Sequence, residues 1–290
     1  GEIISADSMQ VYKQMDIGTA KIKKEQMQGV THYMIDEWNP DEEFNVMIFQ
    51  KRVKEIMEDI YNRGMIPILV GGTGFYIQAV LNDIAFTKEK QGDEIRADLQ
   101  NLAKEKGASY LHHELQKVDK ESAEAIHPNN IKRVIRALEY FQSTGQKFSD
   151  HNKEERQKGS PYNFLYLVLT MNRKVLYERI DKRVDQMMEE GLVKEVKQLL
   201  DAGYSRNLVS MQGLGYKEIA SALFKECTME EAVYRLKRDT RHFAKRQMTW
   251  FRRERDVTMI NKDIFSNNHE IVNYIMKLAV EKGICSCREG

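Results

Sequence analysis

The chain has few of the residues that build disulfide frameworks, and it lacks long apolar runs. Its 290 residues include only three cysteines and four prolines. No apolar run approaches the roughly 20 residues that a membrane helix needs. Cys285 and Cys287 form one closely spaced pair and Cys227 stands alone, so the usual spacing of a zinc site is not completed. We therefore expect reduced thiols in a cytoplasmic protein that does not enter a membrane.

The chain also has almost no net charge, which taken alone argues against nucleic acid binding. Its formal charge is +1, whereas proteins that bind phosphate backbones depend on lysine and arginine. The average conceals a local excess: residues 235–255 contain nine lysines and arginines and only two acids. That segment is basic enough to face a polyanion.

Short β-rich runs alternate with helical patterns along most of the chain. The predicted strands cover residues 2–6, 32–36, 66–70, 164–170 and 257–260. This alternation predicts an α/β fold with a largely parallel sheet. Apolar residues at helical spacing from Phe49 to Ile60, followed by Gly64, predict a helix that ends just before the third strand.

Between residues 92 and 160 the strand pattern is replaced by charged amphipathic segments. We expect an all-helical insertion domain over 92–160, with residues 1–91 and 161–290 forming the α/β domain. The polar stretch 151–159 near its end is expected to be solvated or mobile.

The first candidate site follows the first predicted strand. Ligands of open α/β sheets bind at the carboxyl ends of strands, and Asp7 stands there with Gln10 three residues later. A carboxylate can act as a base or hold a metal, and the Gln10 amide suits an adenine edge. Equally, Asp7 and Ser8 could only cap a turn.

A second candidate is the glycine-rich turn 71–74, which contains Thr73. Its backbone N–H groups could attract phosphate at the start of a helix. No lysine follows, so it is not a Walker loop. Alone, such a turn is not specific for a ligand.

Three helical segments carry arginines suited to phosphate. Arg179 and Arg183 share a helical face and could clamp a pyrophosphate, although alternating arginine and aspartate more often form solvated pairs. Residues 132–136 could contact phosphate or belong to an ordinary surface helix. In residues 244–253 cations interleave with Trp250 and Phe251, and we assign the aromatic residues to packing and the cations to RNA.

Taken in order, these segments resemble the tRNA dimethylallyltransferase family. The likeness covers nearly the whole chain and fades after about residue 260. The matching segments are residues 5–12 (SADSMQVY) with 16–21 (DIGTAK), 69–73 (LVGGT), 127–129 (HPN), 179–187 (RIDKRVDQM) and 245–250 (KRQMTW).

The resemblance implies a P-loop NTPase-like parallel sheet flanked by helices, with a helical insertion that contacts the tRNA anticodon stem-loop. It implies transfer of a dimethylallyl group from dimethylallyl pyrophosphate to N6 of the adenosine immediately 3′ of the anticodon, with Mg²⁺ as cofactor. Pyrophosphate leaves, and the target base is flipped out of its stack. We expect a cytoplasmic monomer.

The resemblance also implies roles for individual residues. Asp7 is the expected general base, and Arg183 and Thr73 are expected at the pyrophosphate. The residues expected to contact tRNA are Asp7, Ser8, Met9, Gln10, Lys132, Arg133, Arg136, Gly213, Tyr216, Lys245, Arg246, Gln247 and Arg252.

One departure from the family lies at the start of the sequence. Members carry a strand and a loop of the Gly-Pro-Thr-Ala-x-x-Gly-Lys-Thr kind before the segment that opens here at Gly1. Without this loop the pyrophosphate lacks its backbone cradle and the metal lacks a hydroxyl ligand, so we expect no metal ligand in these residues. A protein that starts at Gly1 is expected to be inactive and poorly folded, because a central strand would be missing.

Three other functions remain possible at this point. An adenylate isopentenyltransferase acting on free nucleotides would share the core, but it would not need the helical insertion and the basic segment 235–255. A noncatalytic RNA-binding protein and a small-molecule kinase are the others. A small-molecule kinase would not need the basic segment 235–255 or the motif with Asp7 and Gln10.

Overall fold

The computed structural model describes residues 1–86 and 92–286. Its internal contacts divide the chain into two units, one comprising Gly1–Val80 with Tyr162–Gly290 and the other Leu81–Pro161. Cys227 and Cys285 are free thiols, and Cys287 lies outside the described residues. Within those residues, no helix is both long and apolar enough to span a bilayer.

All five predicted strands are present. They are β1 (Glu2–Ser5), β2 (His32–Tyr33), β3 (Pro67–Val70), β4 (Tyr166–Thr170) and β5 (Val257–Asn261). β1 pairs in parallel with both β2 and β3, and β4 pairs in parallel with β5. The predicted α/β class with parallel strands is therefore confirmed, but the described strands form two separate sheets.

Helices account for most of the remaining structure. In chain order they are α1 (Val46–Asn62), α2 (Gly74–Leu81), α3 (Gly92–Lys106), α4 (Ala108–Val118), α5 (Lys120–Ala125), α6 (Ile131–Thr144), α7 (Phe148–Gln157), α8 (Arg173–Glu190), α9 (Leu192–Asp201), α10 (Tyr216–Leu223), α11 (Met229–Phe251) and α12 (Asn268–Glu281).

Helix α1 shows how the local sequence sets these bounds. The Asn45 side chain accepts hydrogen bonds from the backbone N–H groups of Met47 and Ile48, which have no partner inside the helix. The predicted apolar face from Phe49 to Ile60 is buried. Gly64 follows the C-cap with φ of +68°, a conformation that glycine adopts without strain. The chain then enters β3 directly.

The second unit contains helices α3 to α7 around an apolar core that includes Leu111, Leu115 and Val134. Most described residues of the stretch 151–159 are exposed, as predicted for a solvated segment, and α7 reaches Gln157 within it. The His151 ring stacks on Tyr140 with the ring centroids 4.8 Å apart. This contact anchors the helical part of the segment to α6.

Candidate active site

The site begins where β1 ends. The chain turns at Asp7, whose Oδ1 accepts hydrogen bonds from the backbone N–H groups of Met9 at 2.8 Å and Gln10 at 3.3 Å. Asp7 does therefore cap a turn, as the alternative interpretation held. No described residue donates to its Oδ2, so capping leaves one carboxylate oxygen for a substrate.

The electrostatic environment favours a proton acceptor at this position. Burial raises the pKa of the Asp7 carboxyl above its ordinary value. The two backbone hydrogen bonds and the positive charge of Arg183 oppose this shift without cancelling it. A carboxyl whose pKa is moved towards neutrality is a better general base than an exposed aspartate.

Arg183 is available because the acids of its helix face elsewhere. On α8, Asp181 pairs with Arg241 at 2.5 Å and Asp185 pairs with Lys237 at 2.6 Å, both across to α11. Arg183 is exposed, and it has no ion pair with any described carboxylate. The interpretation of Arg183 as one member of a solvated pair therefore does not hold, and its charge acts on Asp7.

Thr73 lies beside the Asp7 turn. Its Oγ1 accepts a hydrogen bond from the Ser8 backbone N–H at 3.2 Å, and its own N–H donates to the Ala6 carbonyl at 3.2 Å. The structure thus brings together Asp7, Ser8 and Thr73, which are far apart in sequence.

The glycines of the turn 71–74 are explained by close packing. A Cβ on Gly71 would lie 2.3 Å from the Ala6 carbonyl carbon, and one on Gly72 would lie 2.1 Å from Nε2 of Gln247. A Cβ on Gly74 would lie 2.3 Å from the Trp250 ring. These glycines let β1 and α11 approach the turn, which accounts for them without a bound phosphate.

Some residues predicted to contact tRNA also hold the site together. Gln247 Nε2 donates to the Gly72 carbonyl at 3.0 Å. Gln10 Nε2 donates to the Thr19 carbonyl at 3.2 Å, and its Oε1 accepts from the Ser5 hydroxyl at 3.2 Å, so both ends of the amide are engaged. An adenine edge would have to displace these partners.

Tyr216 requires a correction. Its side chain is fully buried, and its hydroxyl donates to Glu195 at 2.7 Å, so it is not accessible to a polynucleotide in this structure. Gly213 lies against the predicted site residue Met9, since a Cβ there would meet the Met9 methyl carbon at 2.5 Å. A Cβ at position 213 would therefore require the flexible end of the Met9 side chain to move.

Glu195 was missed by the sequence analysis. Its buried carboxylate accepts hydrogen bonds from the backbone N–H groups of Asp16, Ile17 and Gly18 at 2.9, 2.7 and 3.0 Å. It therefore fixes the loop that Gln10 also contacts. The available signal is a carboxylate on the apolar face that Leu192 forms with neighbouring residues of α9.

The cations expected at tRNA differ in their surroundings. Lys245, Arg246 and Arg252 are exposed at the carboxyl end of α11, and Lys132 and Arg133 are exposed on α6 of the second unit. Arg136 instead pairs with the buried Glu139 at 3.3 Å. Within the described residues, no group of three or more histidine, cysteine, aspartate or glutamate side chains is placed to hold a metal ion.

Comparisons with known proteins give a consistent result. The model of the family described as IPP transferase matches residues 10–254. The tRNA dimethylallyltransferase of Lachnoclostridium phytofermentans is 58% identical over 98% of this chain and 91% of its own length. The enzyme of the same name from Acetivibrio thermocellus is 49% identical over the same shares of the two chains.

Solved structures agree with these sequence comparisons. A tRNA isopentenylpyrophosphate transferase from Bacillus halodurans is 45% identical, with a TM-score of 0.71 over 98% of this chain and 89% of its own. A eukaryotic dimethylallyltransferase acting on tRNA has a TM-score of 0.80 at 27% identity, over 100% of this chain and 75% of its own. The chain therefore belongs to the IPP transferase family.

Proposed function

We propose that the protein transfers a dimethylallyl group from dimethylallyl pyrophosphate to N6 of the adenosine immediately 3′ of the tRNA anticodon. The products are N6-isopentenyladenosine and pyrophosphate. Relatives named tRNA dimethylallyltransferase match nearly the whole chain at up to 58% identity. The observation that carries the chemistry is a carboxylate with a raised pKa and one free oxygen, beside Thr73 and within the field of Arg183.

The proposed reaction forms one bond and breaks another. The N6 nitrogen attacks the allylic carbon, and the bond from that carbon to the pyrophosphate oxygen breaks with its electrons. Asp7 accepts the N6 proton on Oδ2, because Oδ1 is already engaged by Met9 and Gln10. The positive charge of Arg183 offsets the negative charge that grows on the leaving pyrophosphate. Thr73 positions the turn through its contacts with Ser8 and Ala6.

We also propose that the exposed cations Lys132, Arg133, Lys245, Arg246 and Arg252 contact the tRNA backbone. Mg²⁺ is proposed only from the chemistry of a pyrophosphate substrate. The described residues do not assemble a carboxylate or histidine site that fits it, and no step is assigned to it. The proposed location is the cytoplasm, where tRNA is modified, and the proposed state is a monomer.

The first experiment measures transfer of radiolabelled dimethylallyl by the full-length protein to three acceptors: an anticodon stem-loop RNA, the same RNA lacking the target adenosine, and AMP. We expect incorporation only into the first RNA. Incorporation into AMP and not into RNA would establish the nucleotide-prenylating alternative. Tight RNA binding without incorporation into any acceptor would indicate the noncatalytic alternative.

A further inference from the structure

The buried carboxylate of Glu195 on α9 has four hydrogen-bond donors. Its Oε2 accepts from the backbone N–H groups of Asp16 and Ile17 at 2.9 and 2.7 Å. Its Oε1 accepts from the Gly18 N–H at 3.0 Å and from the Tyr216 hydroxyl at 2.7 Å. Hydrogen bonds to a charged acceptor are roughly twice as strong as those between neutral groups. These four bonds therefore offset the cost of burying the charge and fix that stretch of backbone.

Tyr216 holds the same backbone in a second way. Its ring lies against Gly18, where a Cβ would meet ring carbons at 2.6 Å. The side chain is fully buried. Burial and the negative charge of Glu195 raise the pKa of the Tyr216 hydroxyl, so the group stays protonated and remains a donor. Tyr216 therefore acts on the loop 16–21 although RNA cannot reach it.

The loop 16–21 has a backbone conformation that its surroundings must maintain. Ala20 has φ of +48°, in the left-handed region that costs free energy for a residue with a Cβ. At the end of the loop, the ammonium of Lys21 donates to the Tyr12 carbonyl at 2.8 Å. Because this second anchor is independent of Glu195, loss of the Glu195 carboxylate should shift the loop without unfolding it.

The side chain of Gln10 connects this loop to the candidate active site. Its Nε2 donates to the carbonyls of Thr19 and Ala20 at 3.2 and 3.5 Å, directly after the three residues that Glu195 binds. These two carbonyls fix the donor end of the amide and hence its orientation. The backbone N–H of Gln10 in turn donates to Asp7 Oδ1 at 3.3 Å. A shift of the loop is therefore passed on to the carboxylate that accepts the N6 proton in the proposed reaction.

We propose that Glu195 is a positioning residue for dimethylallyl transfer. Through the loop 16–21 it fixes Gln10, and through Gln10 it fixes the Asp7 carboxylate. Tyr216 supports Glu195 by donating to it. Both side chains are buried, so they act through the loop and not by contact with a substrate. This inference rests on the proposed function.

The test compares Glu195→Gln and Tyr216→Phe with the control Glu155→Gln in the full-length protein. An amide has the size of the carboxylate, but in either orientation its NH₂ group would face two of the four donors at Glu195. Tyr216→Phe keeps the ring on Gly18 and removes one donor. Glu155 is matched to Glu195, since both are 8% exposed on helices and Glu155 also accepts a backbone N–H, that of Ala85.

The first readout separates the rate of transfer from RNA binding. The rate of transfer to the anticodon stem-loop RNA is measured in a single turnover, together with the Kd of the RNA and the melting temperature. We expect Glu195→Gln to slow transfer by about 10- to 100-fold, Tyr216→Phe to slow it less, and Glu155→Gln to match the wild type. The Kd should stay unchanged, because the cations proposed to bind RNA lie on α6 and α11.

Two results of this comparison would overturn the proposal. One is a transfer rate in Glu195→Gln equal to that of Glu155→Gln. The other is a slower rate that returns to the wild-type value once it is corrected for the folded fraction, because Glu195 would then serve stability alone.

The second readout tests whether Glu195 acts through Gln10. Glu195→Gln is repeated in the Gln10→Ala background, where the link to Asp7 is already broken. The loss caused by Glu195→Gln should shrink there to less than about twofold, since residues that act as a unit are not additive. A loss by the same factor in both backgrounds would show that Glu195 acts independently of Gln10, which contradicts the proposal.

The third readout observes the link without measuring transfer. The side-chain amide signal of Gln10 is recorded by NMR and assigned by its loss in Gln10→Ala. It should shift in Glu195→Gln and in Tyr216→Phe and stay in place in Glu155→Gln. A Gln10 signal that is unchanged in both variants of the site would also overturn the proposal.

The wild-type protein judges the proposed function separately. If the wild type transfers dimethylallyl to the RNA and Glu195→Gln behaves like Glu155→Gln, only the positioning proposal fails. If the wild type transfers no dimethylallyl to any acceptor, the proposed function fails, and the positioning proposal fails with it.

Discussion

At the scale of single residues, the two carboxylate oxygens of Asp7 have different roles. Oδ1 accepts the hydrogen bonds of the turn, and Oδ2 is the proposed proton acceptor. In Asp7→Asn the amide oxygen can still accept the hydrogen bonds from Met9 and Gln10, but the side chain can no longer take up a proton. We expect dimethylallyl transfer to slow by about 10²- to 10⁴-fold with little change in melting temperature. Asp41→Asn, the same change at an exposed aspartate, is the control.

The Asp7 prediction is contradicted if Asp7→Asn transfers at a rate close to that of the control. It is also contradicted if the rate loss is matched by an equal loss of folded protein, because the effect would then be structural.

The pKa of Asp7 predicts the pH dependence of the reaction. The carboxylate is the active form, so the rate falls as the pH drops through the raised pKa of Asp7, and the acidic limb should lie above the ordinary aspartate value. Arg183 lowers this pKa. Arg183→Gln should therefore move the acidic limb to higher pH and also reduce the limiting rate.

The pH profile is measured as kcat/KM, which reports the pKa values of the free protein. Arg179→Gln removes a charge one helical turn away and should leave the position of the acidic limb unchanged. If the acidic limb of the pH profile stays at the same pH in Arg183→Gln, a group other than Asp7 determines it.

The sequence could place Asp7 and Thr73 near one another, because both follow parallel strands and the carboxyl ends of parallel strands meet at one edge. It could not predict which backbone groups Glu195 binds, or that Gln247 donates to the Gly72 carbonyl. Glu195 is 177 residues from Gly18, whose N–H it accepts, and no local pattern links two such positions. Tyr216 was misassigned because a motif identifies a residue without showing which way its side chain points.

At the scale of elements, substitutions in the glycine-rich turn 71–74 can distinguish whether its glycines are required by packing or by a ligand. Gly71→Ala places a methyl group 2.3 Å from backbone of Ala6, which cannot move aside, whereas Gly72→Ala meets only the end of the Gln247 side chain at 2.1 Å. We expect Gly71→Ala to cost more unfolding free energy, of the order of 1–3 kcal/mol. Urea denaturation measures both losses.

Gln247→Ala is the second substitution, which is combined in turn with Gly72→Ala and with Gly71→Ala. It should recover part of the stability lost in Gly72→Ala and none of that lost in Gly71→Ala, which a double-mutant cycle detects as coupling in the first pair only. Equal losses in the two glycine variants, with no coupling to Gln247, would contradict the packing explanation.

Sequence periodicity predicted the positions of those elements whose structure depends mainly on neighbouring residues. The strands and α1 were predicted because alternation and helical spacing are local properties. Helix α7 was not, since its polar sequence is held by the distant Tyr140 ring and by Asp119, which accepts a hydrogen bond from Ser149 at 2.9 Å. The division of the strands into two sheets also depends on pairing partners that lie far apart in sequence.

At the scale of the whole molecule, each of the two sheets has an edge strand with exposed apolar side chains. β3 pairs only with β1, and β4 only with β5, among the described strands. β3 exposes Ile68 and Val70, which are 47% and 52% accessible, and β4 exposes Leu169, which is 51% accessible. Apolar residues on an open strand edge are an aggregation hazard that proteins normally cover.

We expect this exposed apolar surface to bind a hydrophobic dye. Replacing one of its side chains with a polar residue of similar shape should lower the dye fluorescence without destabilising the protein, because no buried contact is lost.

The substitution Val70→Thr makes this change. Val70 is 52% accessible, so threonine should reduce dye binding and leave the melting temperature almost unchanged. Dye fluorescence and thermal melting measure the two effects. A fall in melting temperature with no change in dye binding would contradict this prediction, because it would show that the Val70 side chain is covered in solution.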